Sequence, residues 1–318
     1  MSHPLFISWK RYQRRSDVLA EALGAEIVWR PHKATSKFLR PTDYLSHVRD
    51  DLELLRQRRP PYVVVQTQPH FTALAPYRAR VPYVVDAHNG QFQSWWRKVP
   101  GTERVLRGAA LVLTHTREAD AMAHEAFPGL RTLVVRDPLR EIAPAAPRGW
   151  VFVVATAAPD EPMDVLLDAI AATPDVTFAT TAPLHKLPDG LRERAQAMPN
   201  LISLGFLDLP DYEAALAGAR AVVVLTDREG CQPSGACEAL SAGRPLVLSH
   251  TRTTEELFGD VAVLVRNEAP ALAAGVRAAL AAEPMAAARA AVARAAWRAR
   301  TAVELQQLVA HVSTGAIR

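Results

Sequence analysis

Twelve short apolar runs, separated by longer stretches of mixed polarity, constrain this chain more than any other feature. They fall at residues 5–9, 25–29, 62–66, 83–86, 111–114 and 132–135, and again at 151–155, 176–180, 201–204, 221–225, 246–249 and 261–265. Runs this short, apolar at successive positions and rich in Val, Ile and Leu, suit strands covered on both faces, as in parallel sheets. Between them, residues 16–23, 44–58 and 117–127, then 162–172, 191–197, 212–217, 235–242 and 253–258, carry helical patterning. Strand and helix in alternation predict repeated βαβ units, hence an α/β fold.

The alternation pauses between Arg136 and Gly149, where Pro138, Pro144 and Pro147 resist helix and strand alike. This predicts one domain over residues 1–140, a linker over 141–149 and a second domain over 150–284. Residues 268–312 are expected to be helical with a break near Glu283-Pro284, leaving 285–318 as a final helical segment. Two doubly wound parallel sheets of similar size fit best. Ligands in such sheets bind beyond the carboxyl ends of the strands, so halves that face each other would place the site in the cleft between them.

The length of 318 residues agrees with two domains. A net charge of +4 is too mild for a nucleic-acid partner, and with only five lysines among 37 cations the arginine excess reads as compositional bias. Cys231 and Cys237 make neither a disulfide framework nor a zinc-ligand spacing. No apolar stretch approaches the roughly 18–20 residues of a membrane span, and the start lacks the apolar run of a signal peptide. The expected location is cytoplasmic.

The most informative segment runs from Leu225 through Thr226, Asp227, Arg228, Glu229 and Gly230 to Ser234, Gly235 and Glu238, then to Gly243-Arg-Pro245. An apolar strand ends, a polar loop follows and a helix begins near Ser234-Gly235. Unpaired amides and the positive dipole end make such a start an anion site. Arg228 adds charge-assisted bonds to phosphate, and Glu238, a turn further on, suits the hydroxyls of a ribose. The same residues also read as an ordinary strand–helix turn capped by Ser234, with Glu238 solvated.

This loop, helix and Gly-x-Pro turn resemble the donor-binding signature of GT-B glycosyltransferases, especially family 4. Leu204-Gly205-Phe206-Leu207-Asp208 is similar to the preceding segment, whose backbone holds the nucleotide base in that family. The resemblance implies a GT-B fold of two Rossmann-like domains facing a cleft, with the last helix returning to the first domain. It also implies a nucleotide-diphosphate sugar as substrate, retention at the anomeric carbon, and no metal or other cofactor. Glu238 then meets the donor ribose, Ser234 and Gly235 the diphosphate, and Gly205, Phe206, Leu207 and Thr226 line the donor. Two departures stand out. Eight residues, Gly230–Cys237, separate Glu229 from Glu238, one more than usual, which puts the reach of Glu229 to the sugar in question. The Arg and Lys expected after the first strand of the second domain are replaced by Ala155-Thr-Ala-Ala-Pro-Asp-Glu-Pro162, so the cation must be Arg228 or, second, Lys186.

In the first half, Asp86, His88 and Asn89 end a buried run. The resemblance places a histidine there against the transferred sugar, so the catalytic set is His88, Asp86, Arg228 and Glu229. A capping Asp and a surface His are the plainer reading. His115, ending the next run, lines the same side or merely caps it. Lys10, Arg11, Arg14 and Arg15, with Lys33, Lys37 and Arg40, make a basic lip on the acceptor side. Residues 1–60 hold twelve Lys/Arg against seven Asp/Glu, a net of +5. Such a lip suits an acidic acceptor, or an anionic membrane surface contacted peripherally; a solvated charged face is the alternative. Trp95-Trp96-Arg97-Lys98 suits sugar stacking or membrane contact, or ordinary half-buried packing. The acceptor class (glycan, lipid-linked or small molecule) stays open. A GT-B nucleotide-sugar epimerase using His88, His115 and Glu229, and an idle GT-B subunit that binds a partner, are the rival readings.

Overall fold

The computed structural model describes residues 3–32, 40–67, 69–87, 91–92 and 95–313. His88 and Asn89, and Lys33 and Lys37 of the basic lip, lie outside the described residues. The chain forms two compact units, one up to Pro138 together with the residues from Arg300, the other Leu139–Ala299.

In the first unit, β1 (Leu5–Ser8), β2 (Glu26–Trp29), β3 (Val63–Thr67), β4 (Tyr83–Ala87), β5 (Leu111–Thr114) and β6 (Thr132–Val134) make one parallel sheet in the order β2-β1-β3-β4-β5-β6. The central strands β1, β3, β4 and β5 are buried at every position, as unbroken apolar runs require, whereas edge strand β2 starts exposed at Glu26. Strand order reverses between β1 and β3, so this is the flavodoxin-like winding with its crevice at those two strand ends. Helices α1 (Arg14–Ala22), α2 (Arg40–Arg58), α3 (Leu74–Ala79), α4 (Thr102–Gly108) and α5 (Arg117–Ala126) cover it.

In the second unit, β7 (Val151–Val153), β8 (Phe178–Thr180), β9 (Leu201–Ser203), β10 (Ala221–Val224), β11 (Leu246–Ser249) and β12 (Ala262–Val265) are parallel in the order β12-β11-β10-β7-β8-β9. That is the dinucleotide-fold winding, whose order reverses between β7 and β10. Helices α6 (Met163–Ala171), α7 (Asp189–Ala197), α8 (Leu209–Ala217), α9 (Ser234–Ala242) and α10 (Arg252–Phe258) connect the strands. All twelve apolar runs are strands. Helices α3 and α4 were not anticipated: six and seven residues are too few to show a periodicity.

The expected break at Glu283-Pro284 does not occur. Helix α11 runs from Ala269 to Ser313 with Pro284 inside it. Ala281, Ala282, Ala286, Ala287 and Ala288 flank the proline; alanine is the strongest helix former, and this run offsets the hydrogen bond the proline cannot donate. By length and composition α11 is apolar enough to cross a membrane, contrary to the expectation from sequence. Its residues Leu272, Val276, Ala279, Ala290, Trp297 and Leu308 are nonetheless buried in protein. Leu308 packs with Phe6, Val64 and Val84 under the first sheet. Beside it Glu304 accepts from the Arg136 backbone N–H at 2.8 Å and pairs with the Arg136 guanidinium, both side chains nearly buried. Removing one partner of a buried pair strands the other charge, typically at about 3–5 kcal/mol. Glu304→Ala is therefore expected to lower the thermal midpoint by many degrees, whereas truncating the exposed Glu103 should leave it within a degree or two, as a melting curve will show.

Candidate functional site

In the second unit the donor loop leaves β10 at the point where the strand order reverses. Leu225 and Thr226 are buried, Asp227 and Glu229 exposed, and Gly230 turns the chain at φ +66°. The loop is pinned from below. The Thr226 amide donates to Ser249 Oγ at 2.9 Å, and Thr226 Oγ1 accepts the Arg228 amide at 3.1 Å. Asn267 Nδ2 donates to the Thr226 carbonyl at 3.2 Å and to Asp227 Oδ1 at 2.6 Å. The Asp227 amide donates to the Asp160 carbonyl at 2.7 Å, joining the loop after β7. Asn267 and Asp160, far outside the motif in sequence, were not singled out, and Ser249, just beyond Pro245, had no role assigned to it.

Helix α9 starts at Ser234, so the expectation that Ser234 caps it is corrected: the cap position is Pro233, with no side-chain cap, and Ser234 is an exposed first-turn residue. The amides of Ser234 and Gly235 have no acceptor among the described residues. A Cβ at Gly235 would lie 2.8 Å from Val154 Cγ1 and 3.2 Å from Val224 Cγ2, so the helix start rests directly on the strands of the crossover point. Glu238, half-buried, accepts from the Tyr212 hydroxyl of α8 at 2.6 Å. Burial, then the Glu238 charge, hold the Tyr212 phenol far above its ordinary value, so it stays a donor. Gly205, at φ +66°, Phe206, which is 97% exposed, and half-buried Leu207 form the loop after β9, and Asp208 closes it by capping α8.

Glu229 is directed elsewhere. Its Oε2 accepts the Arg252 amide at 3.1 Å, at the start of α10. The missing cations after β7 also have a structural counterpart. Ala157 takes φ +56°, and around it the amides of Thr156 and Ala158 converge on the Glu161 carboxylate at 2.8 and 3.0 Å. Neighbouring backbone amides turned inward this way make an anion nest, here filled by the chain's own carboxylate.

In the first unit, Lys10 and Arg11 are exposed after β1 and Arg14 is half-buried. Arg15 is not part of a solvated lip. It is 4% exposed, and its guanidinium donates to Asp86 Oδ1 at 2.9 Å, the Val135 carbonyl at 2.6 Å and Asp137 Oδ1 at 2.8 Å. The two carboxylates outweigh the cost of burial and hold Arg15 charged. Asp86, expected in the catalytic set, is completely buried and serves this pair, so it is a structural anchor. His115 is buried near enough to act electrostatically on Asp86. Of a second cluster the sequence marked only Trp95 and Trp96: Trp9, His32, Tyr44, His47, His70, Phe71, Trp95 and Trp96 form a chain of ring contacts with centroids 4.2–6.1 Å apart. Burial there pushes the His70 imidazole down to about 4.

Residues 148–282 match the family model described as Glycosyl transferases group 1. No curated protein matches the chain. Among solved structures, HepE from Anabaena in complex with UDP and glucose superimposes with a TM-score of 0.75 at 17% identity, over 99% of this chain and 100% of that one. Sucrose-phosphate synthase from Thermosynechococcus elongatus gives 0.76 at 13%, over 98% and 99%. UDP-GlcNAc 2-epimerase from Methanocaldococcus jannaschii gives 0.58 at 12%, over 88% and 93%. The fold is that of GT-B glycosyltransferases, and the family match falls within the second unit.

Two outcomes follow from this geometry. Gly235→Ala should force α9 off Val154 and Val224, costing about 1–3 kcal/mol as overpacking does, and weaken any ligand of the first-turn amides; calorimetry and a melting curve read both. His70, neutral when folded, takes up a proton more readily once unfolded, so stability complete above about pH 6.5 is lost as pH falls toward 4, by up to about 3 kcal/mol. His70→Phe should remove that part of the acid slope in denaturant titrations at successive pH values.

Proposed function

We propose that this GT-B glycosyltransferase moves a sugar from a nucleotide-diphosphate donor, held by the second unit, to a hydroxyl of an acceptor held by the first, with retention and without a metal. The observation that carries the reading is the start of α9: two amides without acceptors among the described residues, at the strand-order reversal, with Glu238 one turn on and Arg228 in the same loop. The HepE structures holding UDP and UDP-glucose support a uridine donor on the same fold.

The bond from the anomeric carbon to the donor phosphate breaks as that carbon bonds the acceptor oxygen on the same face. The acceptor proton passes to the departing phosphate oxygen. Charge gathering on the leaving diphosphate is met by the Ser234 and Gly235 amides, the α9 dipole and Arg228; fixed dipoles of this kind need no rearrangement as the charge develops. Glu238, oriented by the Tyr212 hydroxyl, accepts from the ribose. His88 orients the transferred sugar, on sequence grounds alone.

Removing a charged hydrogen-bond partner typically costs about 1.5–3 kcal/mol, or roughly ten- to a hundredfold in affinity. Glu238→Ala should weaken UDP and UMP alike, because both carry the ribose. Arg228→Ala should weaken UDP more than UMP and slow turnover further. Calorimetry with both nucleotides and a nucleotide-release assay measure this, and EDTA should leave the release rate unchanged. If Glu238→Ala binds both nucleotides as wild type does, the donor site lies elsewhere.

A further inference from the structure

Beside the Trp95-Trp96 turn the first unit has a pocket of about 630 Å³, within the usual range of ligand pockets. Tyr44, Leu45 and Val48 of α2 form one wall, Phe71 and the stacked Trp95 and Trp96 the others. Leu45 is 75% and Trp95 63% exposed, an uncompensated display of apolar surface on side chains that burial elsewhere would stabilise. Among the described residues, no carboxylate, amide or cationic side chain lines the pocket; their polar side-chain atoms there are the Tyr44 hydroxyl and the indole N–H groups. A sugar ring needs several convergent polar partners, so the described lining suits hydrocarbon. Charge appears at the rim: Arg97 and Lys98 are exposed in the same turn as Trp95 and Trp96. On another side, exposed Lys10 and Arg11 follow Trp9, whose ring stacks on Tyr44 at 5.8 Å.

An apolar hollow with cations at its edge is the complement of one molecule, a hydrocarbon chain that ends in an anion. We propose that this pocket receives the chain of a lipid-linked acceptor, with its phosphate on Arg97 and Lys98. The acceptor role rests on the transfer reaction proposed above; the binding itself does not, and a concave site of this size suits a single chain rather than a bilayer.

The test uses the whole chain without nucleotide, titrated with hexyl, octyl and decyl phosphate below their aggregation limits and followed by tryptophan fluorescence and calorimetry. Each methylene that enters should tighten binding about fourfold. Decanol should bind more weakly than decyl phosphate, and Arg97→Gln with Lys98→Gln should erase that difference. Leu45→Asn and Trp95→Ala, both at exposed positions, should weaken decyl phosphate at least tenfold while leaving the thermal midpoint and UDP affinity unchanged. Affinity independent of chain length overturns the proposal, as does binding to anionic phospholipid vesicles without binding of the monomeric alkyl phosphates, which would make the surface a membrane contact. UDP calorimetry on the same samples reports separately on the donor reading, so either can fail alone.

Discussion

The start of α9 can lie where it does only because residue 235 has no side chain. Val154 and Val224 come from either side of the crossover point in the second sheet, and both reach toward the glycine. A helix held a little further out would lose contact with the strands, and its first amides would no longer be fixed against the carboxyl end of β10. Around this contact the polar residues act as bracing. Ser249 and Asn267 come from the ends of neighbouring strands and hold the Thr226–Asp227 backbone, and Asp160 ties the β7 loop to it. Glu238 and Tyr212 then join α9 to α8. The loop is prearranged by covalent spacing and hydrogen bonds together, as fixed dipoles at an anion site require.

The first unit is organised by charge rather than by close approach. Arg15 reaches from α1 to Asp86 on β4 and to Val135 and Asp137 where the last strand leaves the sheet. One guanidinium therefore joins three segments that are distant in sequence, and its planar fork suits the task in a way a lysine would not. The consequence for function is subtractive: Arg15 and Asp86 are committed to the frame, and Lys10 and Arg11 remain as the exposed cations of that loop.

Strands were legible because burial on both faces demands uninterrupted apolar runs, and that demand leaves its mark residue by residue. The donor loop was legible because strand, polar loop and helix start are contiguous. What failed did so for identifiable reasons. A row of cations at 10, 11, 14 and 15 looks uniform in sequence, yet helical geometry turns Arg15 inward, toward partners 71 and 122 residues away. Pro284 signals a break only on local grounds, and its alanine-rich flanks and the buried faces of α11 override it. Glu229, whose spacing already departed from the family pattern, accepts an amide of α10 that no local signal announces. The aromatic cluster gathers rings from five separate segments, and no spacing between Trp9 and Trp96 announces that they belong together.

The division of α11 between the two units has a consequence for biosynthesis. The six strands of the first sheet lie within the first 134 residues, but Leu308, which fills its underside, and Glu304, which neutralises Arg136, come at the far end of the chain. During synthesis the first unit emerges early with an open apolar face and an arginine whose Glu304 partner has yet to be made. It must wait in that state while the entire second unit is made, and only the carboxyl-terminal turns of α11 complete it.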